Sequence, residues 1–256
     1  MNVLSLFDGM SCGQIALNRI GIKPNKYYAS ELDKYAITVT QANYPDTIQV
    51  GDVTNWRDWG IDWASIDLLI GGSPCQGFSF AGKQLAFDDP RSKLFFVYVD
   101  ILNHIRSVNP GIKFMLENVK MKKEYLDVIS EHLGVQPVFI NSALLSAQNR
   151  QRYYWANWAV GQPEDKGILS ADIIESGAVD RDKSYCIDAN YFKGGSLKNY
   201  LDKKRRQVAL SQSETRLCVF EDDDATRPVR KLTPTECERL QTVPDNYTAH
   251  VSNTQR

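Results

Sequence analysis

Short apolar runs alternate with segments of helical period along the first 158 residues, the pattern of βαβ units and a mostly parallel sheet. Residues 2–6 (NVLSL) read as a first strand. The spacing of Ile15, Leu17 and Ile20 predicts a helix from Ser11 to Ile20 with those three side chains inward. A second strand is expected at 26–30 (KYYAS) and a second helix at 33–43. Further strands are expected at 47–50, 66–70, 113–116, 136–141 and 153–158, with helices over 92–107 and 120–132. After Trp158 the pattern fades: residues 159–226 are rich in Gly, Asp, Lys and Ser and carry little periodicity. A helical pattern returns from Arg227, where Thr233-Pro234-Thr235-Glu236 has the form of a capping box. The expected division is an α/β body over 1–158, an irregular insert over 159–226, and a return to the body over 227–256.

Composition narrows the classes. Of 256 residues, 43% are hydrophobic and 24% charged, so a substantial core can form and disorder is disfavoured. A net charge of -1 argues against a protein that coats nucleic acid nonspecifically, but it allows a local basic patch. No apolar run approaches the roughly 20 residues of a membrane span, and the N-terminus has no basic leader or cleavage site. Five cysteines without a C-x-x-C speak against a disulfide framework or zinc finger. His104, His132 and His250 are scattered without metal-ligand spacing, so no metal is expected. A reduced, cytoplasmic setting fits best.

Chemistry concentrates at strand ends. Phe7-Asp8-Gly9-Met10-Ser11-Cys12-Gly13 joins the first strand to the first helix, the position of the ligand turn in nucleotide-binding folds. Gly9 and Gly13 let backbone approach a ligand, but the G-x-G-x-x-G triplet suited to pyrophosphate is absent. A ligand without phosphates, such as an adenosyl amino acid, suits this turn better than NAD. Glu31, at the end of the second strand, can accept from ribose hydroxyls. Asp52, after the third strand, can accept from an adenine amino group. Turn residues and solvated acids at strand ends are the bland alternative for all of these.

The fourth strand runs into Ile70-Gly71-Gly72-Ser73-Pro74-Cys75-Gln76-Gly77, which sets Cys75 in a tight loop. A packed structural cysteine more often sits inside an element, so a nucleophile is the stronger reading. Glu117 follows the apolar Phe114-Met115-Leu116; partial desolvation there would favour its proton-donating form, while an N-cap or surface acid is the alternative. In Gln148-Asn149-Arg150-Gln151-Arg152 the two arginines fall on one face of an extended segment, either to clamp an anion or as a solvated cluster.

In order, LSLFDGMSCGQIAL, Glu31, GDV, GGSPCQGFS, RSKLFF, LENV, QNRQRYYW and RPVRKLTPTECERLQTVPDNYT resemble the C5-cytosine DNA methyltransferases over most of 1–155 and 227–248. Phage and bacterial members akin to the animal de novo enzymes are most similar. The resemblance implies a Rossmann-like methyltransferase fold with a mostly parallel central sheet and a small irregular target-recognition insert. It implies that Cys75 attacks cytosine C6, Glu117 assists at N3 and the exocyclic amine, and Arg152 binds O2, with Arg150 supporting. It implies S-adenosylmethionine as methyl donor, held by Phe7, Asp8, Gly9, Met10, Gly13, Glu31, Leu32, Asp52, Val53, Pro74 and Leu94. Double-stranded DNA is the implied partner, with contacts from Gln76, Ser79, Gln148, Lys203, Lys204, Arg205, Arg206 and Arg227. A solvated basic helix face is the alternative for 203–206.

The family's C-terminal Gly-Asn-containing helix has no match here. The resemblance therefore implies weak cofactor binding by this chain alone, with a second chain or downstream segment supplying that helix. A regulatory homologue that binds DNA is a competing reading, against which Cys75, Glu117 and both arginines are present. RNA methylation is a third, though the Cys-Phe-Thr of that branch is absent. An NAD oxidoreductase is a fourth, disfavoured by the missing glycine triplet.

Overall fold

A computed structural model describes residues 1–74, 93–193, 197–210 and 229–256. The elements follow in order: β1 (Asn2–Leu6), α1 (Cys12–Arg19), β2 (Lys26–Ser30), α2 (Lys34–Asn43), β3 (Ile48–Gln49) and β4 (Ile66–Gly71). Next come α3 (Lys93–Val108), β5 (Lys113–Val119), α4 (Lys123–Leu133), β6 (Val138–Asn141) and β7 (Gln151–Ala156). The remainder holds α5 (Ser170–Ile173), α6 (Leu197–Lys203), β8 (Val208–Leu210), β9 (Val229–Lys231) and α7 (Pro234–Leu240).

Among the described residues, seven strands form one sheet in the order β3-β2-β1-β4-β5-β7-β6. Strand β1 pairs in parallel with both β2 and β4, β3 continues parallel beside β2, and β5 beside β4. Only the β5–β7 pairing is recorded as antiparallel among these registers. Because β2 and β4 lie on opposite sides of β1, the strand order reverses at β1 and β4. A crevice opens beyond the carboxyl ends of strands at such a point, where ligands bind in open α/β sheets.

The core beside this crevice is made by alternation on the strands and helical spacing on α3. Leu4, Leu6, Leu69, Phe114 and Leu116 are fully buried against Phe95, Tyr98, Ile101, Leu102 and Ile105. Each such side chain contributes about 1.5–3 kcal/mol over leaving it in water. Trp155 on β7 is also fully buried, its indole N–H donating to Ser130 Oγ at 2.9 Å.

Several expectations needed correction. Helix α1 stops at Arg19, and Ile20 caps it with 68% of its surface exposed rather than facing inward. Gly21 follows with φ +74°, a turn conformation that ends the helix. Strand β3 shrinks to two residues. Strand β5 outlasts its apolar run because Glu117, Asn118 and Val119 pair with Tyr154, Tyr153 and Arg152, so β7 starts at Gln151.

The chain forms two compact units, Met1–Ile140 with Gln151–Gly161, and Asn141–Arg150 with Gln162–Arg256. This division differs from the expected one: the C-terminal return groups with the insert instead of the α/β body. The reason lies in side chains of high sequence separation. Ala147, Ile173, Ala209, Leu232 and Leu240 share one core, and Glu236 accepts from the backbone N–H of Glu175 at 2.7 Å. Nor is the insert without structure, since α5, α6 and β8 all fall within it. Among the described residues no helix is long and apolar enough to cross a membrane, and no three His, Cys, Asp or Glu side chains gather to hold a metal.

Two buried carboxylates anchor the second unit. Glu236 closes the expected capping box with Thr233 and takes a two-pronged bond from Arg230, 2.7 Å on each oxygen. Glu238 accepts from the N–H groups of Asn246 (2.7 Å) and Thr248 (2.8 Å) and from Arg256 (2.9 Å). Burial by itself would raise both carboxyl pKa values, but these donors outweigh it and hold both below the usual range. A lowered folded-state pKa contributes stability that is present above the ordinary value of 4.5 and lost as pH falls through the folded value. Glu238→Gln is therefore expected to cost about 2–3 kcal/mol at neutral pH. In thermal unfolding the gap to wild type should narrow as the buffer is taken well below 4.5.

Candidate active site

The turn after β1 is shaped from within. Phe7, Gly9 and Ser11 all adopt positive φ (58°, 59° and 61°), and a side chain added at Gly9 would meet nothing within 4 Å. Gly9 thus presents bare backbone to open space at the carboxyl end of β1. Asp8 faces the other way: its carboxylate accepts from Tyr27 Oη at 2.8 Å and from Ser11 Oγ. Burial raises the pKa of Asp8, and these hydroxyls offset part of that. Burial also pushes the Tyr27 phenol well above its usual value, with the Asp8 charge adding to the effect.

Gly13 serves packing, not ligand approach. A Cβ there would lie 2.4 Å from Ile70 Cδ1 and 2.6 Å from Tyr27 Oη, so α1 sits directly on the sheet. Gly13→Ala must displace a phenol held by Asp8 and is expected to destabilise by about 1–3 kcal/mol, read as a lowered midpoint in thermal unfolding. Asp8 and Gly13, both expected to hold cofactor, support the turn from behind.

The carboxylate at the next strand end joins the turn. Glu31 follows β2; its Oε2 accepts from Gly9 N–H at 2.8 Å, and its Oε1 from Leu32 N–H (2.7 Å) and Asp33 N–H (2.8 Å). Oε2 keeps a lone pair for a further donor. Asp52, after β3, spends Oδ1 on Thr54 N–H and Oγ1, both at 2.8 Å. Leu32 is 68% exposed beside them, whereas Val53 is buried in the core, so its side chain cannot line a ligand site as expected. Phe7 and Leu94 pack against that core while half-buried; Met10 and Pro74 are half-buried too.

At the crevice's other side, Glu117 forms an ion pair with Arg152, Oε1 to Nε 2.6 Å, the two side chains keeping 31% and 14% of their exposure. Desolvation of Glu117 is therefore only partial, and its charge is met by a guanidinium. Its Oε2 lies against the β4 exit: a Cβ on Gly72 would come within 3.0 Å of it. Gly71, one residue earlier, is pressed between the Leu6 carbonyl and the ring of Tyr98.

Ser73 and Asn118, given no role of their own within GGSPCQGFS and LENV, hold this corner. The Asn118 amide, 1% exposed, donates to the carbonyl and hydroxyl oxygens of Ser73 at 3.3 Å. It thereby fixes the backbone two residues before Cys75. The pairing of Asn with Glu in Leu116-Glu117-Asn118-Val119 was the available signal. Cys75, Gln76, Ser79 and Arg227 lie outside the described residues.

The remaining expected residues fall in the second unit. Gln148 is fully buried and cannot meet DNA: its Nε2 donates to the Leu240 carbonyl (3.0 Å) and its Oε1 accepts from Ile187 N–H (3.1 Å). Arg150 is half-buried, with Nη1 3.5 Å from Cys186 Sγ. The 203–206 cluster is not one helix face. Lys203 closes α6, Lys204 and Arg205 are exposed, and Arg206, at φ +60°, turns back to Asp188 at 3.4 Å.

Known proteins share both sequence and fold with this chain. The family model of the C-5 cytosine-specific DNA methylases matches residues 1–156 and 139–256. The type II methyltransferase M1.ScrFI of Lactococcus lactis subsp. cremoris is 29% identical over 290 residues, spanning 99% of this chain and 72% of the relative. The orphan methyltransferase M.Rho11sI of Bacillus phage rho11s is 35% identical over 196 residues, 70% of this chain but 36% of the relative. Two solved structures share the fold: the Entamoeba histolytica methyltransferase EhMeth (TM-score 0.73, 16% identity) and the DNMT2 of Spodoptera frugiperda (TM-score 0.60, 17% identity). They cover 100% and 99% of this chain, and it spans 91% and 96% of theirs. With the family match running along almost the whole sequence, the chain belongs to the C5-cytosine-specific DNA methyltransferases.

Proposed function

We propose that this chain methylates C5 of a cytosine flipped out of double-stranded DNA, through a transient bond between Cys75 and C6. The observation that carries the reading is the Glu117–Arg152 pair held against Gly72, three residues ahead of Cys75 in the chain. Cytosine C5 is too weak a nucleophile to take a methyl group unaided. A Cys75 thiolate adding to C6 pushes electron density onto C5, splitting one difficult step into two. Glu117 hydrogen-bonds N3 and the exocyclic amine and so stabilises the adduct, while Arg152 orients that carboxylate and reaches O2. Loss of the C5 proton then allows the thiolate to leave and restores the ring. A base stacked within a duplex cannot reach such a pocket, so the nucleotide must be extruded.

The first turn fits S-adenosylmethionine as the methyl donor. Gly9 offers backbone to open space, Glu31 Oε2 has a lone pair for a ribose hydroxyl, Asp52 would accept from the adenine amine, and Leu32 exposes an apolar surface for the base. Bound there, it would supply an electrophilic methyl group to C5. Incubation with the donor and a duplex carrying 5-fluorodeoxycytidine tests the reading. Fluorine cannot leave as the proton does, so a competent protein becomes covalently trapped. Trapping that is equal with and without the donor, or absent altogether, would refute the proposal.

A further inference from the structure

Residues 141–150 of the second unit form a closed loop. Ser142 N–H donates to the Arg150 carbonyl (3.0 Å), and Asn141 Oδ1 accepts from the N–H groups of Arg150 (3.0 Å) and Ala143 (3.1 Å). The loop's outer edge pairs with Ser184, which donates to the Ala147 carbonyl (2.7 Å) and accepts from Asn149 N–H (2.9 Å). Immediately before Ser184 comes Lys183. Its ammonium donates to three backbone carbonyls, of Ala143 (2.7 Å), Ser146 (3.2 Å) and Ile168 (2.6 Å).

This use of a lysine is unusual in its chemistry. An ammonium has three donors, and here backbone oxygens take all of them. No carboxylate pairs with Lys183 among the recorded ion pairs of the described residues. Two of the three carbonyls, of Ala143 and Ser146, belong to the loop, so the ammonium ties the loop to the Ile168 carbonyl. The loop closes at Arg150, whose amide and carbonyl are both fixed by the bonds to Asn141 and Ser142. Its guanidinium lies against the Cys186 sulfur, Nη1 to Sγ 3.5 Å.

We infer that Lys183 is a positioning residue for the methyl-transfer reaction, acting through the 141–150 loop on Arg150. The inference rests on the proposed function together with the role the family resemblance implies for Arg150, that of supporting the loop and backbone that lead into Arg152. Single-turnover methyl transfer by the full chain is compared for wild type, Lys183→Met, Lys183→Arg, Arg150→Ala and the Lys183→Met/Arg150→Ala double variant. Lys183→Met is expected to slow transfer roughly 10- to 100-fold, the scale of a small misplacement of a supporting group. Lys183→Arg should restore most of the rate, and the double variant should be no slower than Arg150→Ala. Losses that multiply, or a Lys183→Met rate equal to wild type, would overturn the inference. If Arg150→Ala or wild type shows that the underlying reading is wrong, amide exchange decides the structural part. Faster exchange at Ser142 and Arg150 in Lys183→Met then supports the clamp, and unchanged exchange overturns it.

Discussion

Cys75→Ser is expected to reduce methyl transfer by roughly a thousandfold or more, with binding of duplex DNA retained. A serine hydroxyl has nearly the shape of the thiol, but it is scarcely ionised near neutrality and is far the weaker nucleophile toward C6. The loss should fall on the rate of a single turnover at saturating DNA, since the interaction removed exists only as the bond to C6 forms. Donor-dependent trapping on 5-fluorodeoxycytidine should vanish in the same variant. A variant that keeps within tenfold of the wild-type rate would show that some other group makes the bond, or that none is made.

Glu117→Gln should carry the second-largest effect, roughly 100- to 10,000-fold in the same assay. The amide preserves size but can neither deliver a proton to N3 nor neutralise Arg152. The 2.6 Å contact between Glu117 Oε1 and Arg152 Nε makes the two residues one unit, so their losses should not add. Arg152→Ala in the Glu117→Gln background is expected to cost little more than Glu117→Gln alone. Measured rates for the two single variants and the double variant provide the check, and fully multiplicative losses would show that each acts separately. Gly72 limits the same carboxylate from the other side, since any side chain there would crowd Glu117 Oε2.

Some of the site was legible because its signals are local. Thr233 and Glu236 announced their capping box within four residues, and Gly9 announced a turn by its place after an apolar run. Glu31 was read as a ligand acid, and the structure shows the feature the reading lacked: it also clamps the Gly9 amide, so it builds the turn it was expected to serve. Val53, Gly13 and Asp8 look like ligand residues in a linear motif, yet one is core, one is a packing contact and one faces inward. The local pattern does not tell which way these side chains point, because the deciding neighbours lie on other elements: Tyr27 and Ile70 for Asp8 and Gly13, and the core of Leu4 and Tyr28 for Val53.

Sequence alone determined the alternation of strands and helices, the parallel sheet, the family and the residue types at each strand end. Those follow from hydrophobic period, turn chemistry and ordered motifs, all written in short stretches of chain. Tertiary structure decided what each polar group answers to. It buried Gln148 between Leu240 and Ile187, joined the C-terminal return to the insert, and met the Lys183 ammonium with backbone oxygens. Each of those outcomes depends on satisfying a buried donor or acceptor with whatever lies nearest in space, and partners tens of residues apart leave no trace in the local pattern.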